Sequence, residues 1–131
     1  MNKKILITAS LLGLISIVLG AFGSHALKQL ITVEAQNTFE TGVRYQMYHA
    51  LLLLFIGSTS FIKDKVKTIL FYLVLFGVIL FSGSIYLLAT NTLTSFDFKT
   101  IGFITPIGGL LLIMSWGIVF INSIKIITKN N

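Results

Sequence analysis

The sequence predicts an all-α membrane protein, an antiparallel four-helix transmembrane bundle with both termini on the cytoplasmic side. Three observations lead there. Hydrophobic residues make up 55% of the 131-residue chain, and the mean hydropathy is +0.93. Charged residues are only 11%, and they cluster in short segments between apolar runs. Those runs number four, each near the roughly 20 residues that cross a hydrocarbon core. A soluble domain this small has too much surface for its volume to hide so much apolar area. A charge at mid-membrane costs at least about 2.5 kcal/mol, which explains the segregation. One multi-pass domain, 1–131, is expected, with helices at about 5–26, 33–62, 68–89 and 106–127.

The first run follows Lys3 and Lys4 and extends from Ile5 to Phe22, then through Gly23, Ser24 and His25. A basic start and small residues near its end also suit a cleaved signal peptide. Two features favour a retained helix. The run exceeds the usual 7–15 residues of a signal core. Its small residues Ala9, Gly13, Ser16, Gly20 and Ser24 also recur at three- and four-residue spacing, which makes a stripe that lets another helix approach.

The second helix is expected to begin in polar sequence, with Thr32 as N-cap and Glu34 in the first turn. Glu40 and Arg44 are four apart and suited to pairing. From about Tyr45 the helix is expected to enter the bilayer. Lys63, Asp64, Lys65 and Lys67 form a charged turn before the third run, which carries Gly77, Ser82, Gly83 and Ser84 as small packing residues. A loop with Asp97 and Lys99 follows. Thr105-Pro106 then reads as N-cap and first helical residue of the fourth helix.

Counting Lys and Arg at the run ends sets the orientation. With the N-terminus inside, Lys3, Lys4, Lys63, Lys65, Lys67, Lys125 and Lys129 face the cytoplasm, against Lys28, Arg44 and Lys99 outside. The formal net charge of +6 thus reads as helix anchoring. It does not read as a nucleic-acid surface, because no soluble basic face is available.

With no Cys in the chain, disulfides, thiolate catalysis and Cys-based metal sites are excluded. No nucleophile motif, phosphate loop or paired acidic couple appears, so a non-enzymatic protein without cofactor or metal is expected. The acids Glu34, Glu40, Asp64 and Asp97 all lie outside the deep apolar runs, which argues against a cation-coupled transporter. His25 and His49, with Tyr45, Glu40 and Arg44, form a candidate polar cluster at the outer mouth. Two readings apply to it. It is a proton-responsive or ligand-binding site, because His changes charge near neutral pH. Or its side chains hydrogen-bond helix ends and lock the first helix on the second. Gly108-Gly109 after Pro106 suits close helix packing, and Trp116, near the middle of the fourth run, is expected to pack inside.

Four segments together resemble a known family. They are Gly20-Ala21-Phe22-Gly23-Ser24-His25-Ala26-Leu27, Phe39-Glu40-Thr41-Gly42-Val43-Arg44-Tyr45-Gln46-Met47-Tyr48-His49-Ala50, Phe81-Ser82-Gly83-Ser84-Ile85-Tyr86 and Thr105-Pro106-Ile107-Gly108-Gly109. In this order they resemble the domain-of-unknown-function-423 group of small YgdD/YwdK-type inner-membrane proteins. That group is similar to the eukaryotic transmembrane-protein-256 group. The likeness covers essentially the whole chain. Its pattern often has Ala where this chain has Ser24, a conservative change. The resemblance implies a retained first helix, a multi-pass bundle and a bacterial plasma membrane. It carries no catalytic residues over. It marks His25, Tyr45, His49, Ser82, Tyr86, Thr105 and Pro106 as motif positions. Gly13, Gly20, Gly23, Gly83, Gly108 and Gly109 complete the packing set.

Two functions remain open at this stage. One is a non-enzymatic bundle that binds membrane lipids, another membrane protein or a second copy through its small-residue faces. The other is a small oligomeric channel or carrier gated by the His/Tyr cluster. The inner halves of the runs offer little polar lining beyond Ser and Thr, which favours the first.

Overall fold

The computed structural model describes residues 1–130, with side chains as far as Thr128. Lys129, counted above on the inner side, lies beyond the described side chains. Four long helices carry the chain: α1 (Asn2–Ser24), α2 (Val33–Ser58), α3 (Asp64–Ala89) and α4 (Ile104–Asn130). Among the described residues there is no strand. Three of the four, α1, α3 and α4, are long and apolar enough to cross a membrane. α2 is long enough, but Glu34, Glu40 and Arg44 make its first half polar.

The helix ends differ from expectation where local chemistry overrides the hydrophobic pattern. α2 starts as predicted, with the Thr32 hydroxyl accepting from the Ala35 N–H at 3.1 Å. It stops at Ser58, not 62, because Thr59 is extended within a run of small and hydroxylated residues that favour loops. α3 starts four residues early, at Asp64, whose carboxylate suits a helix N-terminus. In α4 the helix already includes Ile104, so Thr105 is no N-cap. Its hydroxyl instead meets the Ser84 hydroxyl at 2.5 Å.

α3 contains a widened turn, a π-helical segment at Ile79–Gly83. Nothing in the apolar pattern announces it. Such bulges accommodate an extra residue within a continuous helix. Here the turn lies against Gly108 of α4, whose missing Cβ would fall 2.8 Å from the Leu80 carbonyl carbon and 2.9 Å from the Gly77 oxygen. Only glycine lets the two backbones come this close.

α1 and α2 run in opposite directions along their whole length. Gly57 lies against Ile5 and Leu6, Gly13 against Ala50 and Met47, Gly20 against Val43, and Gly23 against Phe39. The predicted stripe on α1 is therefore its contact face, with Ala9 and Ser16 buried and Ser24 exposed at its end. α3 and α4 pair in the same sense, Gly77 against Leu112 and Gly108 against the turn at Leu80–Phe81. α2 and α3 are joined by the Ser82 hydroxyl, which donates to the Gly42 carbonyl at 2.7 Å. The main core comprises Ile5, Ala9, Leu53, Ile56, Leu70 and Val74, all fully buried. A smaller cluster of Leu27, Phe39 and Ala89 closes the other end.

The α1–α2 register fixes relative depth. The apolar run Ile5–Phe22 is centred near Gly13, and Gly13 faces Ala50. Val43 to Gly57 of α2 therefore lies at the level of that run, with His49 close to its centre. Between α3 and α4, the Asn91–Ile101 loop is tied by its own side chains. Asn91 Oδ1 accepts from the Phe98 N–H at 2.7 Å, and the Asn91 amide donates to Asp97 at 3.1 Å. The Lys99 N–H and then the Asn91 amide hold the exposed Asp97 carboxyl below the usual carboxylate range.

Candidate functional site

α2 and α4 do not close on each other along their middle, and a groove of about 1050 Å³ lies between them. Its α2 wall carries Tyr45, Tyr48, His49, Leu51 and Phe55, and its α4 wall Gly109, Ile113 and Trp116, with Phe81 of α3 at the back. Tyr45, Tyr48, Leu51 and Phe55 follow one another at steps of three, three and four, so they share a face. Most of the lining is aliphatic or aromatic, and the groove opens sideways, with Ile113 70% exposed.

One polar contact bridges the two walls. The His49 Nδ1 lies 2.6 Å from the Tyr45 carbonyl, and the Trp116 Nε1 lies 3.1 Å from the His49 Nε2. A carbonyl only accepts and an indole N–H only donates. These partners therefore place the proton on Nδ1 and leave the Nε2 lone pair to the indole, with the imidazole neutral. The two rings meet edge to face, with centroids 6.2 Å apart. His49 is buried, but Trp116 is 49% exposed along the groove and not enclosed as the sequence suggested. α4 stands off from α2 here, so the indole bridges a gap.

A second polar group lies behind the groove. Gln46 is buried and donates to the Leu12 carbonyl of α1 at 2.9 Å. Its Oε1 accepts from the Tyr86 hydroxyl of α3 at 2.7 Å. Ser16 donates to the same Leu12 carbonyl at 2.8 Å. One amide thus ties three helices, which suits an environment where unpaired polar groups cost several kcal/mol. Sequence reasoning passed over Gln46, although a lone amide in an apolar run is a signal in itself. It also read Lys67 only as part of a charged turn, whereas Lys67, 2% exposed, donates to Asn2 Oδ1 at 3.0 Å and to the Thr59 carbonyl at 2.5 Å.

The predicted outer cluster is not assembled. His25 ends α1, exposed, with its Nδ1 2.9 Å from the Ala21 carbonyl. The Phe39 level of α2 adjoins that end, whereas His49 lies ten residues further along, about 15 Å at 1.5 Å per residue. Glu40 and Arg44 are exposed and take no part in the contacts that join the helices. Tyr45 does reach His49, through its carbonyl and not its phenol. Gly13, Gly20, Gly23, Gly108, Ser82 and Tyr86 all serve helix contacts, while Gly109 borders the groove beside Phe81. Nothing within 4 Å would meet a Cβ at Gly83. Pro106 is exposed in the first turn of α4, where its missing N–H costs nothing. The α1 stripe and Gly108 are thus covered from within the chain, whereas the α2–α4 groove is open. Among the described residues, no three His, Asp or Glu side chains gather to hold a metal ion.

Comparison with known proteins gives a consistent result. A family model described as "Protein of unknown function (DUF423)" matches residues 19–109. The chain is 36% identical over 124 residues to a UPF0382 membrane protein of Staphylococcus saprophyticus, covering 95% of this chain and 99% of the relative. It is 34% identical to the UPF0382 membrane protein YwdK of Bacillus subtilis, over 94% of this chain and 98% of the relative. It is 30% identical to the UPF0382 inner membrane protein YgdD of Escherichia coli, over 98% and 95% respectively. No solved structure matches.

Proposed function

Because the chain belongs to the DUF423 (UPF0382) family of bacterial membrane proteins, we propose that it acts within the bilayer as a non-enzymatic lipid-binding bundle. In this reading four helices cross the membrane, with both termini cytoplasmic, and an acyl chain occupies the α2–α4 groove. The groove itself carries the proposal. Its apolar lining and its level beside the centre of the α1 run support a position among acyl chains. α2 crosses despite its polar first half because its two buried polar side chains at that level, Gln46 and His49, are satisfied internally. Gln46 is bonded to α1 and α3, and His49 to α4. The Lys and Arg distribution supports the cytoplasmic termini.

This arrangement also favours lipid binding over a channel. Gln46, Tyr86, Ser16 and Ser82 spend their hydrogen bonds on one another and on backbone carbonyls, so they do not line a continuous polar path.

The test is photocrosslinking in liposomes, using a phospholipid with a diazirine in its acyl tail. Adducts are expected to concentrate on Leu51, Phe55, Ile113 and Trp116. An even spread that includes the outward α1 positions Ile7, Leu14 and Ile17 would overturn the lipid groove.

A further inference from the structure

The geometry points to a phosphate-binding clamp at the outer end of the groove, formed by Arg44 with the hydroxyls of Tyr45 and Tyr48 and selecting a glycerophospholipid. This deepens the lipid-groove reading and rests on it. The occupant is a single phospholipid from the leaflet that faces the α2 N-terminus. Its tail lies in the groove and its phosphodiester is held by these three side chains.

Arg44, Tyr48, Leu51 and Phe55 follow one another at four-, three- and four-residue steps, a single helical stripe. Three of the four line the groove. Arg44 therefore caps the same wall that the tail would follow. The stripe also has the right depth. Val43, next to Arg44, touches Gly20, two residues short of the end of the α1 apolar run. An exposed Arg at this level reaches the headgroup layer by extending its stem along the apolar wall.

The two tyrosines contribute donors. Side chains on a helix lean toward its N-terminus, so both phenols tilt to the same end as Arg44. Their rings pack together at 5.5 Å, and Tyr45 is further held by Phe81 at 5.1 Å. Among the described residues neither hydroxyl has a hydrogen-bond partner, and the residues are 41% and 49% exposed. A guanidinium and two phenol donors above an apolar groove complement a phosphodiester on an acyl chain. An uncharged diacylglycerol would use the groove and leave the clamp unpaired.

Glu40 is the competing group. It precedes Arg44 by one turn on the same face and is exposed. A carboxylate one turn away repels a bound phosphate, so its removal is expected to strengthen the clamp.

The test is native mass spectrometry of the full chain released from detergent, titrated with dioleoyl-phosphatidylglycerol and, separately, dioleoylglycerol. The tails are identical and only one lipid carries phosphate. Wild type is expected to retain both and to prefer the phospholipid. R44Q is expected to lose about tenfold of that preference, the worth of one charge-assisted hydrogen bond, while still binding both. E40Q is expected to increase the preference. G109L, which fills the groove from the α4 wall, is expected to lose both lipids. An unchanged preference in R44Q overturns the clamp and leaves the groove standing. Wild type that retains neither lipid, or G109L that binds both as wild type does, overturns the groove and the clamp together.

Discussion

The indole N–H of Trp116 donates to the Nε2 of His49, 67 residues earlier in the chain, across 3.1 Å. This bond spans the groove between α2 and α4 at about the level where Gly13 of α1 meets Ala50 of α2. It defines how far apart the two walls stand.

Breaking it removes a pairing that little else replaces. W116F keeps an aromatic ring but leaves the imidazole Nε2 without a donor. In a double-mutant cycle with H49F, read by thermal unfolding in detergent, the expected coupling is about 1 kcal/mol, within the range found for polar pairs between membrane helices. Additive effects would show that the two rings do not depend on each other.

The α3–α4 interface is expected to discriminate sharply between glycines of the same helix. In G108A the new methyl meets the backbone of Leu80 and Phe81, which a rotamer change cannot relieve. A loss of roughly 1–3 kcal/mol is expected, as for other overpacked sites. In G117A nothing lies within 4 Å, so stability is expected to hold or rise slightly through helix propensity. Unfolding in graded SDS compares the two.

The loop between α3 and α4 is expected to loosen in acid. Asp97 is held below its usual range by the Lys99 N–H and the Asn91 amide, so the ionised form is the one the folded loop favours. Its contribution is therefore complete above the ordinary carboxylate value of 3.8 and lost as pH falls through the lowered one. Amide exchange at Lys99 is expected to quicken over that acid range in wild type. In D97N the same step is expected to be absent.

Orientation is open to direct labelling, because the chain has no native Cys. In intact cells, a membrane-impermeant maleimide is expected to label S95C in the α3–α4 loop and to miss K65C at the start of α3. The reverse pattern would place the termini outside.

The legibility of this fold differs from element to element. α1, α3 and α4 were readable because an apolar run near 20 residues has few alternatives to a crossing helix. Gly13 and Gly20 were readable as a packing face, since small residues at helical spacing serve little else. Which residues they meet was not, because periodicity describes one helix and says nothing of its neighbour's register. That gap hid the level of His49: counting residues from the polar start of α2 put it near the outer mouth beside His25, while the Gly13–Ala50 pairing puts it beside the centre of the α1 apolar run. The His49–Trp116 bond could not be read from one-dimensional spacing at all. Gln46 could have been. The π-turn at Ile79–Gly83 depends on the approach of Gly108 from another helix, a tertiary cause without a local signature.

All of this depends on α2 lying in the bilayer beside α1, with the groove among acyl chains. The most direct measurement is a spin label at L51C, on the exposed groove wall, in reconstituted liposomes. Power saturation is expected to show high accessibility to oxygen and almost none to a water-soluble nickel chelate, as at mid-bilayer. Strong relaxation by the chelate would place α2 in water and contradict the account.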